Sequence, residues 1–223
     1  MITVSKEDYL KAILEAESEG ETVISARLAD WLKVSPPAVT MALRRLKKDA
    51  LVRVQSDGHV RLTAAGRKIA RKLTLRHHLI ERMLSELFGM EWWKVHDEAE
   101  RLEHAVSPDF EAKLLAKLGK EGICPHGNLS EMESPSSRRH RGLVLLADAT
   151  PGAAYAVSGI YERDRRLLEF LEARGIRPSA KLRLLERNYD QTLTLSTTAG
   201  NVSLGRAAAE RVWVTPADPR SNR

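Results

Sequence analysis

The chain has 223 residues, 43% of them hydrophobic and 30% charged, which gives material for a packed core and room for two or three small domains. Its 36 Lys and Arg against 30 Asp and Glu leave a formal charge of +6, and the single cysteine, Cys124, excludes an internal disulfide and fits a reducing compartment. The N-terminus MITVSKEDYL lacks the apolar core of a signal peptide, and no stretch approaches the ~20 apolar residues of a membrane span, so a cytoplasmic protein is expected.

Residues 5–18 place Tyr9, Leu10, Ile13 and Leu14 at helical spacing, and Gly20 offers a stop. SARLADWL, 25–32, predicts a short second helix with Leu28, Ala29 and Leu32 inward. After the turn KVS, the run PPAVTMALRRLKKDA over 36–50 opens on prolines, which a helix tolerates only in its first turn. Val39, Ala42, Leu43 and Leu46 form its buried face. LVRVQSDGHVRLT, 51–63, carries two alternating runs about Asp57-Gly58, a hairpin signal. Helix, helix, turn, helix, hairpin is the order of a winged helix-turn-helix, expected over residues 1–73.

The basic excess is local: residues 1–75 hold 14 basic and 9 acidic side chains. Arg44, Arg45, Lys47 and Lys48, with Arg27 on the preceding helix, suit phosphate contacts. Ser35, Pro37, Ala38, Thr40 and Met41 would reach base edges. They offer few bidentate partners, so readout through thymine methyls, DNA shape and water is expected. A winged helix also serves as a protein-interaction module; the local charge favours DNA.

Helices are expected from Thr63 to Phe88, from Trp92 to Ala105 and from Pro108 to Leu118, forming a helical domain over 74–137 with a Gly-, Pro- and Ser-rich linker over 122–141. Within HDEAERLEH, His96, Glu100, Glu103 and His104 stand at offsets 0, 4, 7 and 8, one face of a helix. A core helix would put Leu or Ile there; a divalent metal accounts for the polar stripe. His77 and Glu81 repeat the i, i+4 spacing, and Asp8 on the first helix can add a carboxylate. These oxygen and nitrogen donors suit manganese, iron(II), cobalt or zinc, not the thiolate set of a structural zinc site. Only one of His77 and His78 can face the stripe, and pairing with Glu81 selects His77. Cys124-Pro-His126 gains weight only if its loop returns to the helical sites. Trp92 and Trp93 read as core or dimer-contact aromatics. Asn128, Ser130 and the RRHR run at 138–141 read as a solvated linker.

From 142 the pattern changes to five short strands, LVLLADA, AAYAVSGIYE, KLRLLERN, TLTLSTT and RVWVT, with one helix, DRRLLEFLEARG, between them. A small β-barrel over 142–216 is expected, then a disordered tail over 217–223. The fold class is therefore mainly α with a β C-terminal domain.

Taken together, SARLADWLKVSPPAVTMALRRLKKDALV, RHHLIERML and KVHDEAERLEH resemble the diphtheria-toxin-repressor and manganese-transport-regulator family of metal-dependent bacterial repressors. The resemblance covers nearly the whole chain, and the last motif is highly specific. The C-terminal strands look like the SH3-like third domain of the longer members. The resemblance implies a homodimer on a palindromic DNA operator, controlling metal-homeostasis genes. It implies one metal site of Asp8, Glu100, Glu103 and His104, and a second of His77, Glu81 and His96. Some manganese-responsive members add a Cys-Pro-His loop and an acid of the third domain, which here would be Cys124, His126 and Asp164. Iron-responsive members carry Met at the position of Asp8 and Cys at that of Glu100; oxygen at both places points to Mn²⁺, with Fe²⁺ the alternative and Zn²⁺ or Cd²⁺ as crystal surrogates. Lys11 stands where short manganese regulators have Glu, which argues against their close two-metal cluster. A metallohydrolase with Glu81 or Glu98 as base is the rival from another class, but no substrate-binding signature accompanies it.

Overall fold

The computed structural model describes residues 4–120, 122–129 and 132–217. Ser130 and nearly all of the expected tail lie outside them. Among the described residues, no helix is long and apolar enough to cross a membrane.

Three cores are stacked along the chain. The first is built by α1 (Val4–Ser18), α2 (Ser25–Leu32), α3 (Pro36–Lys48) and the hairpin β1 (Val52–Val54) and β2 (Val60–Leu62). Leu10, Ile13, Leu28, Val39 and Leu46 are fully buried at its centre. Ser35 caps α3 by accepting from the Ala38 amide, with the prolines in the first turn where their missing N–H groups cost nothing. Lys33, with φ of 52°, ends α2 in the left-handed region and makes the sharp turn between the two helices.

The second core follows α4 (Ala64–Arg82), which Thr63 caps and a short π-helical turn, Met83–Leu87, prolongs. Gly66 is required in α4: a Cβ there would meet the Leu51 carbonyl oxygen at 2.1 Å. α5 (Val95–Leu102) and α6 (Pro108–Leu118) pack on α4 through Ile80, Val95, Ala99 and Leu114. α5 is shorter than its sequence pattern suggests, so Glu103 is its C-cap and His104 lies in the following turn.

The linker is more ordered than expected. It contains α7 (Pro135–His140), and Arg138 is buried beneath Trp213 rather than solvated, its guanidinium 5.3 Å from the ring. The third domain is a six-stranded antiparallel sheet, in the order β3 (Val144–Leu145), β8 (Val212–Pro216), β4 (Ala154–Ile160), β5 (Lys181–Arg187), β6 (Leu193–Thr197) and β7 (Gly200–Leu204). Among the described residues its pairings leave β3 and β7 as edges. Strand β7 is one more than the sequence pattern indicates. Helices α8 (Arg165–Glu172) and α9 (Arg206–Ala209) complete this unit, and Leu168 and Leu171 of α8 join its core.

The third domain and the linker helix α7 rest on the first domain through three ion pairs. Glu15, Glu19 and Glu21, at and just beyond the C-terminal half of α1, meet Arg163, Arg138 and Arg211. Trp92 and Trp93 pack against the third domain's core, and the Trp92 indole donates to Glu172 at 2.8 Å. They are inter-domain aromatics.

Candidate metal centre

Two clusters of ligand-type side chains lie side by side. The outer one joins Asp8 of α1 to Glu103 and His104 at the end of α5, with ligand atoms all within 4.8 Å of one another. His104 Nε2 is 2.8 Å from Asp8 Oδ1 and 3.5 Å from Glu103 Oε1. Burial raises the Asp8 carboxyl above its usual value, although His104 opposes the shift. Glu100 stands apart from this trio: its side chain is 44% exposed and its nearest ligand-type contact is His96, at 3.6 Å. It nevertheless lines the same cavity of about 790 Å³, whose far wall is the Ala38, Met41 and Arg45 face of α3.

The inner cluster is buried. His77 Nε2 lies 3.0 Å from Glu81 Oε1 and 3.0 Å from His96 Nδ1. The loop Cys124–Asn128 closes over it, held by the Cys124 amide on the Asn128 carbonyl and the Gly127 amide on the Cys124 carbonyl. Gly127 has φ of +86°, and a Cβ there would press on the Ser158 carbonyl at 2.2 Å, so glycine alone lets the loop seat on β4. The loop brings His126 Nδ1 to 3.4 Å from Glu81 Oε1, so the Cys-Pro-His segment does return to the helical site.

The third-domain acid that the structure brings to the inner cluster is Glu162, and Asp164 lies away from it. Glu162 is buried two residues past β4, with Oε2 3.5 Å from His126 Nδ1, 3.6 Å from Cys124 Sγ and 2.7 Å from the Asn128 amide. Asp164 is the N-cap of α8 and accepts from the Leu167 amide at 3.1 Å. Its carboxylate is committed to the helix end and exposed. His78, set aside in the sequence, is buried and faces Glu162 Oε1 at 3.6 Å.

Glu103 joins the clusters. Its Oε1 faces His104, while Oε2 is 2.6 Å from His77 Nδ1 and 2.7 Å from the buried Lys11 ammonium. Burial pushes Glu103 up, but the His77 hydrogen bond and Lys11 outweigh it and hold the carboxyl at about 2. Burial and Lys11 depress His77, yet Glu81 and Glu103 carry it to about 9. Glu81 is driven well below the carboxylate range by His126 and His77 despite its burial. Burial and the flanking Glu162 and Glu81 charges raise the Cys124 thiol. Among the described residues, His78 Nδ1 and Nε2, Glu81 Oε2 and His126 Nε2 are buried without a hydrogen-bond partner. Buried polar atoms are rarely left so, and imidazole and carboxylate lone pairs converging in one cage fit a divalent metal ion.

All ten candidate DNA-contact residues are exposed, from Arg27 on α2 through Ser35, Pro37, Ala38, Thr40, Met41, Arg44, Arg45, Lys47 and Lys48. The Thr40 hydroxyl donates to the Pro36 carbonyl at 3.1 Å, which leaves its methyl group and acceptor lone pairs outward.

A basic winged helix-turn-helix whose Asp8 meets Glu103 and His104, beside a buried cage of His and Glu, is the arrangement of a metal-responsive DNA-binding regulator. Residues 1–60 match the profile "Iron dependent repressor, N-terminal DNA binding domain", 63–130 match "Iron dependent repressor, metal binding and dimerisation domain", and 144–216 match the FeoA domain. The iron-dependent repressor IdeR of Mycobacterium leprae is 32% identical over 219 residues, 93% of this chain and 95% of that protein. A manganese-dependent transcriptional repressor solved in complex with manganese is 32% identical, with a TM-score of 0.82 over 95% of this chain and 99% of that one. The manganese regulator SloR is 28% identical, with a TM-score of 0.78 over 96% and 100%. The chain belongs to the diphtheria-toxin-repressor family of metal-dependent transcriptional repressors, in the form that carries an SH3-like FeoA domain.

Proposed function

We propose that this protein is a homodimeric, Mn²⁺-activated repressor that binds palindromic DNA and governs metal-homeostasis genes. The observation that carries this reading is the position of Asp8. It lies on a helix of the DNA-binding domain, while Glu103 and His104 lie on the helical domain, and their ligand atoms fall within 4.8 Å. The residues that would hold the outer ion are Asp8, Glu103 and His104, with Glu100 brought in by a side-chain rotation. His77, Glu81, His96, His126, Cys124 and Glu162 would hold the inner one.

A bound ion supplies positive charge that joins carboxylates otherwise in repulsion. The protein supplies the lever: α1 packs on α2 and α3, so fixing Asp8 fixes the recognition helix. In a dimer, two such helices would stand about 34–36 Å apart, one turn of DNA. Leu87, Phe88 and Phe110 are exposed apolar side chains of the helical domain suited to the contact between copies. Moving a two-state dimer from 1:99 to 99:1 takes about 5.5 kcal/mol of differential metal binding, within reach of two ions per chain.

Manganese is favoured because the outer donors are oxygen and imidazole only. Iron is the second reading, supported by the Cys124 thiol in the inner cage and by the iron-dependent relatives. Duplexes selected by the protein from a randomised library, titrated with graded Mn²⁺, Fe²⁺ and Zn²⁺, separate them. Half-saturation at the lowest free concentration relative to each ion's intrinsic affinity order is expected for Mn²⁺; a ranking that follows the Irving–Williams order overturns the preference.

A further inference from the structure

The inner cage holds more donors than one ion accepts. His77, Glu81 and His96 meet there with Cys124, His126 and Glu162, and His78 makes a seventh. All are at least nine-tenths buried. An octahedral ion takes six ligands and a tetrahedral one four.

The donors separate into two overlapping groups. Ligand atoms of His77, Glu81, His96 and Glu162 lie within 4.8 Å of one another, and so do those of His78, Glu81, Cys124 and Glu162. The shared members are the two carboxylates, the side chains with two oxygens to offer. Of the three unshared imidazoles, His77, His78 and His96, the first two are consecutive on α4, so they point about 100° apart. Their ring centroids are 6.0 Å apart.

His78 is the telling residue. A buried imidazole normally spends at least one ring nitrogen on a hydrogen bond, because stranding it leaves a desolvated polar atom uncompensated. Neither nitrogen of His78 makes a hydrogen bond, and Nε2 faces Glu162 Oε1 across a long ion pair of 3.6 Å. Glu81 Oε2, on the bridging carboxylate itself, is likewise unpartnered.

We infer that the cage is a dinuclear centre, in which Glu81 and Glu162 bridge one ion held by His77 and His96 and a second held by His78 and Cys124. The second position contains a thiolate, so it takes a divalent ion of borderline softness, of the zinc or iron(II) class. With the outer site, each chain then binds three ions. The inference rests on the reading that this cage binds metal at all.

The test uses the full chain carrying Asp8→Asn, which disables the outer site, with Co²⁺ as probe. Calorimetry and elemental analysis should give two tightly held Co²⁺ per chain. A sulfur-to-cobalt charge-transfer band should mark one of them, and X-ray absorption should show metal–metal scattering at about 3.5–4 Å. Adding His78→Asn should reduce the count to one and abolish most of the band. Adding Cys124→Ser should keep two ions and lose the band. Two ions retained in the His78→Asn chain, or one ion without metal–metal scattering in the parent, overturns the dinuclear centre alone. No ion in any of these chains overturns the metal reading of the cage as well. The absorption measurement needs no change in the cage, so it decides the matter even where His78→Asn fails to fold.

Discussion

The Lys11 ammonium lies 2.7 Å from Glu103 Oε2 and places a fixed positive charge between the two clusters of ligand-type side chains. It is also 2.9 Å from His77 Nδ1, and 4.0 Å from Glu15. Lys11 thus holds Glu103 in place from the side opposite the outer cluster. Breaking a buried pair by removing one partner costs about 3–5 kcal/mol, because the other charge stays behind. Lys11→Met should lose that much stability in chelator, and Mn²⁺ should restore a larger share in the variant than in the parent, since metal supplies the missing charge. Equal losses in thermal unfolding with and without Mn²⁺ would show that Lys11 serves packing alone.

Glu162 and Asp164 should behave oppositely. Glu162→Gln removes a donor from the inner cage and should weaken its metal affinity by about 10–100-fold, the range that follows even from disturbing a ligand's support. Asp164→Ala removes a helix cap and should cost about 1 kcal/mol of stability with metal affinity unchanged. Calorimetric titration alongside denaturant unfolding checks both. Reversed effects would return Asp164 to the site.

Arg163 follows Glu162 directly and reaches the other way, pairing with Glu15 of α1 while its guanidinium lies 5.0 Å from the Trp31 ring of α2. A single peptide bond therefore links the inner cage to the DNA-binding domain. A double-mutant cycle of Glu15→Gln and Arg163→Gln should give a coupling of about 0.5–3 kcal/mol. Strict additivity would mean that the third domain is held in place by its other contacts.

Arg44 is exposed on the outer face of α3. Arg44→Ala should weaken binding to all duplexes alike and reduce the slope of log K against log salt by about 0.9. Met41→Ala should instead change which bases are preferred, read by repeated selection from a randomised library. A loss of preference in the Arg44 variant with an unchanged salt slope would assign it to base readout.

Much of this was legible in the sequence because the signals are local. Prolines 36 and 37 mark the start of α3, Asp57-Gly58 marks the hairpin, and the polar stripe from His96 to His104 is set by helical periodicity within nine residues. What was missed depends on docking between domains. Glu162 has no spacing relationship to Glu81 or His126, and only the seating of β4 under the Gly127 loop brings it in. A local signal did argue against Asp164: an acid just before RRLLEFLE is an N-cap pattern. His78 was set aside because one stripe admits one of two consecutive residues. That holds for a helix packed on one side, whereas α4 is covered by α5 on one side and the Cys124 loop on another. Strand β7 escaped notice because, as an edge, only Leu204 of its five residues is buried.

The central claim is that metal at Asp8, Glu103 and His104 switches DNA binding by tying α1 to the helical domain. The most direct test measures the affinity of the parent chain and of Asp8→Asn for a duplex selected by the Mn²⁺-loaded protein, in Mn²⁺ and in chelator. Binding at least about a hundredfold tighter with Mn²⁺ is expected for the parent, from a coupling of about 3 kcal/mol, and a ratio near one for Asp8→Asn. Equal affinity of the parent with Mn²⁺ and with chelator would contradict the claim.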